Sequence, residues 1–363
     1  GHGKFLDSCE LEVGGKILKF KKAVIATGSS PAKLPSLGLQ KVDYLTNETL
    51  FSLNQLPPRL AVIGAGPMGC EMAQAFARFG SRVCLLERRS QILGREDPEA
   101  AAVIEQALRN DGVTVFLNCS PRLDSSSAEG KNITLGSSGE KKVITTDEIL
   151  VAVGRVPNSD GLGLEKVGVE YNESEGVIVN EYLQTSNPRI YAAGDICSRN
   201  KYTHTADATA RIVIQNSLFY GRKKLDLLTN PCCTFTDPEI AHVGLYEREA
   251  LAKGLKLDTF VQEIKNLDRA FLDGQTEGFV KVYTEKGKDR ILGATIVSSD
   301  AGSMISELTL AMVAGAGLSM LSKTIHPYPT QSEAIKQVGD AYNRNRLTPL
   351  VRKLLNGWFS WTR

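Results

Sequence analysis

At 363 residues, with 42% hydrophobic and 23% charged residues, the chain has an ordinary globular composition and the length for more than one compact unit. A formal net charge of +2 gives no electrostatic case for nucleic acid or an anionic membrane as a partner. Seven cysteines stand at positions 9, 70, 84, 119, 197, 232 and 233, with no C-x-x-C and no zinc spacing, which suits a soluble protein of a reducing compartment such as cytoplasm or an organelle stroma or matrix.

In chain order, residues 1–30 read as strands. CELEVGGKILKF is a hairpin turning at Gly14-Gly15, and KAVIATGSSP is a buried strand running into a glycine loop. LPPRL punctuates at 56–60. Residues 60–155 alternate strand and helix (LAVIGAG, MGCEMAQAFARFG, RVCLLERR, PEAAAVIEQALRNDG, VTVFLN), the pattern of a parallel sheet with crossover helices. A polar meander leads into the buried strand of DEILVAVGR. RIYAAGDIC is an apolar strand ending on Gly194-Asp195, and a carboxylate at a buried strand tip is expected to face something polar. The helix ADATARIVIQNSLFYG follows. From 229 the character changes: strands FVKVYT and ILGATIVS precede helices at 301–316 and 332–345. No integral membrane segment is expected, since the most apolar long stretch, 301–321, contains Glu307 and has a helical period. The tail LVRKLLNGWFSW sets apolar residues at helical spacing beside basic ones. A membrane interface is one destination for it; packing back on the protein or a partner subunit is the one expected.

AVIGAGPMGCE places Gly64, Gly66 and Gly69 after an apolar strand and before a helix, the setting in which G-x-G-x-x-G signals a dinucleotide. Gly64 permits the tight turn, Gly66 lets a pyrophosphate approach the backbone, and Gly69 lets helix and strand pack closely. The helix N-terminus favours the phosphate charge. Glu87 ends the next strand, where a carboxylate takes ribose hydroxyls and argues for NAD. Arg88 and Arg89 follow, suit a 2′-phosphate and leave NADP open. Glu71, one turn into the helix, is either a solvated first-turn carboxylate or a contact near the nicotinamide.

VIATGSSP (24–31), GAGPMG (64–69), VAVGRVPN (151–158), IYAAGDI (190–196) and HPYPTQSE (326–333) occur in the order found in the pyridine nucleotide–disulfide oxidoreductases. The chain resembles this family of two-dinucleotide flavoenzymes over essentially its whole length. The resemblance implies an α/β fold of two interleaved Rossmann-like FAD- and NAD(P)-binding domains, the FAD domain incomplete here, and a C-terminal α+β dimerisation domain. It implies boundaries at 1–42 (FAD), 43–155 (NAD(P)), 156–228 (FAD again) and 229–363 (homodimer interface). It implies FAD and NAD(P)H as cofactors. Asp195 then holds the ribityl chain of FAD, and Gly3 resembles a backbone contact to its adenine. Thr27, Gly28 and Ser29 resemble the first crossover between the flavin and NAD parts, and Gly154, with Arg155 in its motif, the end of the NAD site. Lys201, Tyr202, Thr203 and His204 form the loop that approaches the isoalloxazine; His204 is otherwise a helix-start histidine with no chemistry.

The family's catalytic pair is a His and a Glu five residues apart in H-P-T-x-x-E, a base and the carboxylate that orients it. Here Tyr328 stands five before Glu333, and His326 lies two residues earlier. A phenol titrates near ~10 and is a poor base at neutral pH, but it can donate to a thiolate or stand beside a soft metal. Mercuric reductases carry a tyrosine at this place, so the resemblance tilts toward mercuric reductase-like proteins. They end in a vicinal cysteine pair, whereas this chain ends NGWFSWTR and holds its pair, Cys232-Cys233, elsewhere; two adjacent thiolates suit a soft metal such as Hg(II), but the expected reading is two small buried residues starting a strand. The expected activity passes hydride from NAD(P)H through FAD to a cysteine pair and then to a small-molecule, thiol or metal-ion acceptor. The chain begins at Gly1 and has neither a second G-x-G-x-x-G nor a C-x-x-x-x-C, so it is expected to be an N-terminally truncated fragment, inactive alone. The alternative is a non-catalytic NAD(P)-binding, dimerising protein.

Overall fold

The computed structural model describes residues 1–33, 42–127, 129–137 and 140–362. The chain divides into two compact units, Gly1–Leu34 with Val153–Leu228, and Pro35–Ala152 with Thr229–Arg363. Each unit is therefore assembled from two separated stretches of sequence.

In the first unit, Gly3–Asp7, Glu10–Val13 and Lys16–Lys19 form an antiparallel sheet. Its second turn is Gly14-Gly15, both at positive φ (57° and 76°), as a two-residue hairpin with the favoured twist requires. Ala23–Ile25 pairs in parallel with Ile190–Ala192. Ile190 and Ala192 face a core with Phe5, Ile25 and Leu164, while Tyr191 and Ala193 face one with Leu183 and Ile212. Both faces are covered, and that is why RIYAAGDIC is apolar without alternation. Val24 departs from the expected buried strand: it is exposed, so that strand hides Ile25 and leaves its other face open. The helix Thr203–Leu218 starts three residues before the sequence suggests and takes in Thr203 and His204.

The second unit opens with a parallel sheet in the order Glu148–Val151, Arg59–Ile63, Arg82–Leu86, Thr114–Phe116. The helices Pro67–Arg78 and Pro98–Asn110 cross over between its strands. Leu60, Val62, Val83, Leu85, Ile104 and Leu108 fill its core. Asp97 caps the second helix, accepting from the Glu99 and Ala100 N–H groups at 2.9 and 3.3 Å, with Pro98 at the first helical position. The polar meander is a three-stranded sheet over Ser120–Ser127, Gly130–Ser137 and Glu140–Thr146.

The rest of this unit is an antiparallel sheet in the order Cys232–Thr234, Glu239–Gly244, Ile291–Ser298, Phe279–Glu285, Leu257–Glu263. Val280, Val282, Ala294 and Ile296 meet Ile305 and Leu308 of the helix Ala301–Ala314 and Ile335 and Val338 of Glu333–Asn345. The opposite face of the same strands is also buried. Phe279, Val297 and Ile240 join the core of the parallel sheet, and Lys281 reaches Asp97 at 3.1 and 3.2 Å. The Tyr283 hydroxyl donates to Asp97 at 2.6 Å. The final helix, Pro349–Thr362, has no buried residue. Of the expected packing on the protein or a partner subunit, the first part is corrected: among the described residues nothing buries a side chain of this helix, and only Val351 on its apolar face is as much as half-covered.

Candidate cofactor sites

The dinucleotide loop follows the strand Arg59–Ile63. Gly64 turns the chain at φ 99°, and Gly66 caps the helix that begins at Pro67. A Cβ on Gly69 would sit 1.9 Å from the Gly64 carbonyl oxygen, so only glycine lets this helix lie against this strand. A Cβ on Gly66 would meet nothing within 4 Å. That open space in front of the helix N-terminus is where a pyrophosphate fits. Glu87 sits just past the strand Arg82–Leu86. Its Oε2 accepts from the Ala65 N–H and its Oε1 from the Arg89 N–H, both at 2.9 Å, so the carboxylate ties the loop to the next strand and keeps lone pairs for hydroxyls. Arg88 and Arg89 are exposed beside it.

Glu71 is not a freely solvated first-turn carboxylate. Its Oε1 accepts from the Phe235 N–H at 2.9 Å, holding the helix to the start of the antiparallel sheet. Burial pushes its carboxyl above the usual range.

The Asp195 turn lies in the other unit. Gly194 has φ 77°, donates its N–H to the buried Thr209 hydroxyl at 3.0 Å, and would place a Cβ 3.3 Å from Ala206. Asp195 Oδ2 accepts from the Ser29 hydroxyl at 2.6 Å. Arg155 Nε donates to Ser29 Oγ at 2.7 Å and stands 3.7 Å from Asp195 Oδ2. The polar partner of the strand tip is therefore a Ser29–Arg155 pair. Arg155 belongs to this cluster, a role its motif did not disclose. Thr27 and Gly28 are held by Asn158: Thr27 Oγ1 donates to its carbonyl at 2.8 Å, and its N–H donates to the Gly28 carbonyl at 3.0 Å. Gly154 is at φ 118° and accepts from the Ala32 N–H at 3.0 Å.

A cavity of about 720 Å³ is lined by Gly28, Arg155, Gly194, Asp195, Lys201 and Thr203, among others. Lys201 Nζ donates to the Ser198 carbonyl at 3.1 Å, and the Tyr202 and His204 rings stack at 5.3 Å. Gly3 lies apart in its strand, where a Cβ would make ordinary contacts with Leu11 and Val13. A roomy cleft bearing a fixed carboxylate and a glycine with open space at Gly28 fits a polyhydroxylated cofactor chain.

Tyr328, Glu333 and His326 share the antiparallel unit but not one hydrogen-bond system. The Tyr328 hydroxyl donates to Asp268 Oδ2, and Tyr328 is 70% exposed. His326 Nε2 lies 3.0 Å from both Glu307 carboxylate oxygens, and its Nδ1 is 3.3 Å from the Thr324 carbonyl. Glu333 accepts from Gln337 at 3.4 Å. Asp268 and Glu307 come from segments with no motif around them, so neither partner carries a signal in the sequence. Cys232 and Cys233 do start a strand, half-buried, and burial followed by the nearby Glu239 charge pushes the Cys233 thiol up. A protonated thiol is a poor soft-metal ligand, and among the described residues no group of three or more His, Cys, Asp or Glu is set to hold a metal ion.

A glycine-cradled parallel βαβ unit, a second cleft ending on a strand-tip carboxylate, and a helix-backed antiparallel sheet define a flavin- and nicotinamide-dependent reductase fold. The chain belongs to the pyridine nucleotide-disulphide oxidoreductase family: its family model matches residues 1–210, and the model of its dimerisation domain matches residues 230–338. This family is FAD-dependent and uses NAD(P)H. A mercuric reductase of Lysinibacillus sphaericus is 36% identical over 95% of this chain, and a dihydrolipoyl dehydrogenase of Thermus scotoductus is 34% identical over 97% of it. The chain spans 63% of the length of the first and 76% of the second. The HOCl-induced flavoprotein disulfide reductase RclA from Escherichia coli, solved as a Cu(II) complex, superposes with a TM-score of 0.85 at 28% identity, covering 94% of this chain and 78% of that one.

Proposed function

We propose that this chain serves an FAD-dependent NAD(P)H oxidoreductase of the disulfide reductase type, mercuric reductase-like, acting as a homodimer. Bound FAD would take hydride from NAD(P)H and pass electrons to a cysteine pair and then to the acceptor. The observation that carries the reading is the Gly64–Gly69 loop, whose helix approaches its strand within the reach of a single Cβ. In this reading the backbone of Gly64, Gly66 and Gly69 holds the nicotinamide cofactor's pyrophosphate, and Glu87 takes its ribose. Glu71 is the contact near the nicotinamide, and Gly154 resembles the end of the NAD site. Asp195, oriented by Ser29 and Arg155, holds the ribityl chain. Thr27 and Gly28 shape the crossover beside it, Lys201, Tyr202, Thr203 and His204 border the isoalloxazine, and Gly3 lies at the adenine end. Tyr328 donates a hydrogen bond to a thiolate or stands by a soft metal, with His326 and Glu333 in the same segment.

The tyrosine in place of histidine favours a metal or small oxidised acceptor over glutathione or lipoamide, and RclA's Cu(II) complex is in keeping with that class. A second reading, a cofactor-binding and dimerising chain without catalysis, rests on one observation: no two of the seven cysteines stand in C-x-x-x-x-C spacing. The two separate on whether the purified chain carries flavin, read by its visible absorbance after denaturation. Titration with NADH and NADPH tests the loop. Gly66→Val, whose Cβ would meet nothing in the protein within 4 Å, should abolish binding; unchanged binding removes the assignment.

A further inference from the structure

At 100° per residue, the helix Pro349–Thr362 separates into two faces. Leu350, Leu354, Leu355, Trp358, Phe359 and Trp361 fall on one continuous arc of about half the circumference, and all are exposed. Arg352, Lys353, Asn356 and Ser360 take the other. Residues 341–363 hold Arg344, Arg346, Arg352, Lys353 and Arg363 and no Asp or Glu, so the rest of the chain is net negative although the whole carries +2. The chain-wide balance therefore hides a cationic, aromatic-rich terminus.

We propose that this helix lies in the plane of an anionic lipid surface, with its apolar arc at the headgroup–acyl boundary and its cations on the headgroups. Basic residues opposite Trp, Phe and Leu are the composition of an interfacial helix. Fourteen residues rise only about 21 Å, short of the ~30 Å hydrocarbon core, and no described helix is long and apolar enough to cross a membrane. Two features disfavour a second copy as the occupant. The dimerisation-domain match ends at residue 338, before this helix begins, and a second copy would bring the same cations against these. The proposal does not depend on the oxidoreductase reading.

Trp358 and Trp361 are the two tryptophans of the chain, so its tryptophan fluorescence reports this helix alone. The full chain is mixed with vesicles of phosphatidylcholine, or of phosphatidylcholine and phosphatidylglycerol in equal parts, and followed by emission wavelength and by flotation. The expected result is a blue shift and co-flotation with the anionic vesicles only. Both should be lost in Leu350→Glu/Leu354→Glu, which keeps the tryptophans and alters only exposed positions. Arg352→Gln/Lys353→Gln should weaken partitioning about 25-fold, at about fivefold per cation. Absence of shift and flotation, or equal binding to the neutral vesicles, overturns the proposal. So does a vesicle-independent blue shift that grows with protein concentration, which would give the arc to a second copy.

Discussion

Gly69 and Tyr328 are the residues whose surroundings make the sharpest demands. The Gly64 carbonyl leaves no room for a Cβ at position 69, so Gly69→Ala must push helix and strand apart. Overpacking of this kind costs about 1–3 kcal/mol. Gly69→Ala should lower the unfolding midpoint and weaken NAD(P)H binding together, whereas Gly66→Val should abolish binding with little change in the midpoint. Paired calorimetry and cofactor titration check this contrast. At Tyr328 the hydrogen bond to Asp268 raises the phenol above its usual range. The side chain thus stays protonated at neutral pH and can donate but not abstract a proton. Asp268→Asn should bring the Tyr328 titration midpoint down, followed by NMR of ring-labelled tyrosine and assigned with Tyr328→Phe. An unmoved midpoint would mean that Asp268 does not hold the hydroxyl in solution.

Between the helix Pro98–Asn110 and the strand Phe279–Glu285 lies a buried polar seam, and its two carboxylates respond to pH in opposite senses. Burial pushes Glu96 up to about 7 despite the Tyr246 hydroxyl donating to it at 2.9 Å. A carboxyl raised above its unfolded value of ~4.3 stabilises the fold while protonated, and that contribution is lost as pH rises toward 7. Burial also raises Asp97, but the Tyr283 hydroxyl and the Lys281 ammonium outweigh it and hold this carboxyl below the usual range. Its contribution is present above ~3.9 and lost as pH falls further. Glu96→Gln should therefore raise the thermal midpoint at pH 8 and change it little at pH 5. Lys281→Ala leaves Asp97 buried without its counter-ion and should cost about 3–5 kcal/mol, read from urea unfolding. Equal effects of Glu96→Gln at both pH values would show that the carboxyl ionises as it does in water.

For the molecule as a whole, the terminal helix adds charge and aromatic surface without adding to the core. Because none of its residues is buried, removal of residues 349–363 should shift the unfolding midpoint by less than about 2 °C, as changes to exposed surface do. The self-association expected of residues 230–338 should survive the removal. Scanning calorimetry and sedimentation velocity on the shortened chain check both, and a dissociated or strongly destabilised product would place the helix inside the folded assembly.

What the sequence by itself determined is what local sterics write into residue type. Three glycines marked the cofactor loop because a tight turn, an open backbone and a close crossing each exclude side chains. The continuous apolar run before Asp195 marked a strand with a buried tip, and the structure covers both of its faces. The helices 301–316 and 332–345 were legible from their apolar spacing, and both stand within two residues of those limits. The tertiary structure decided which distant side chains meet. Ser29, Arg155 and Asp195 are separated by up to 166 residues, yet they close one polar cluster. Asp268 reaches Tyr328 from sixty residues away, and Glu307 takes His326 in place of any partner in the histidine's own motif. Such pairings leave no periodic trace, because a hydrogen bond needs only proximity and orientation, and both are set by how the segments pack.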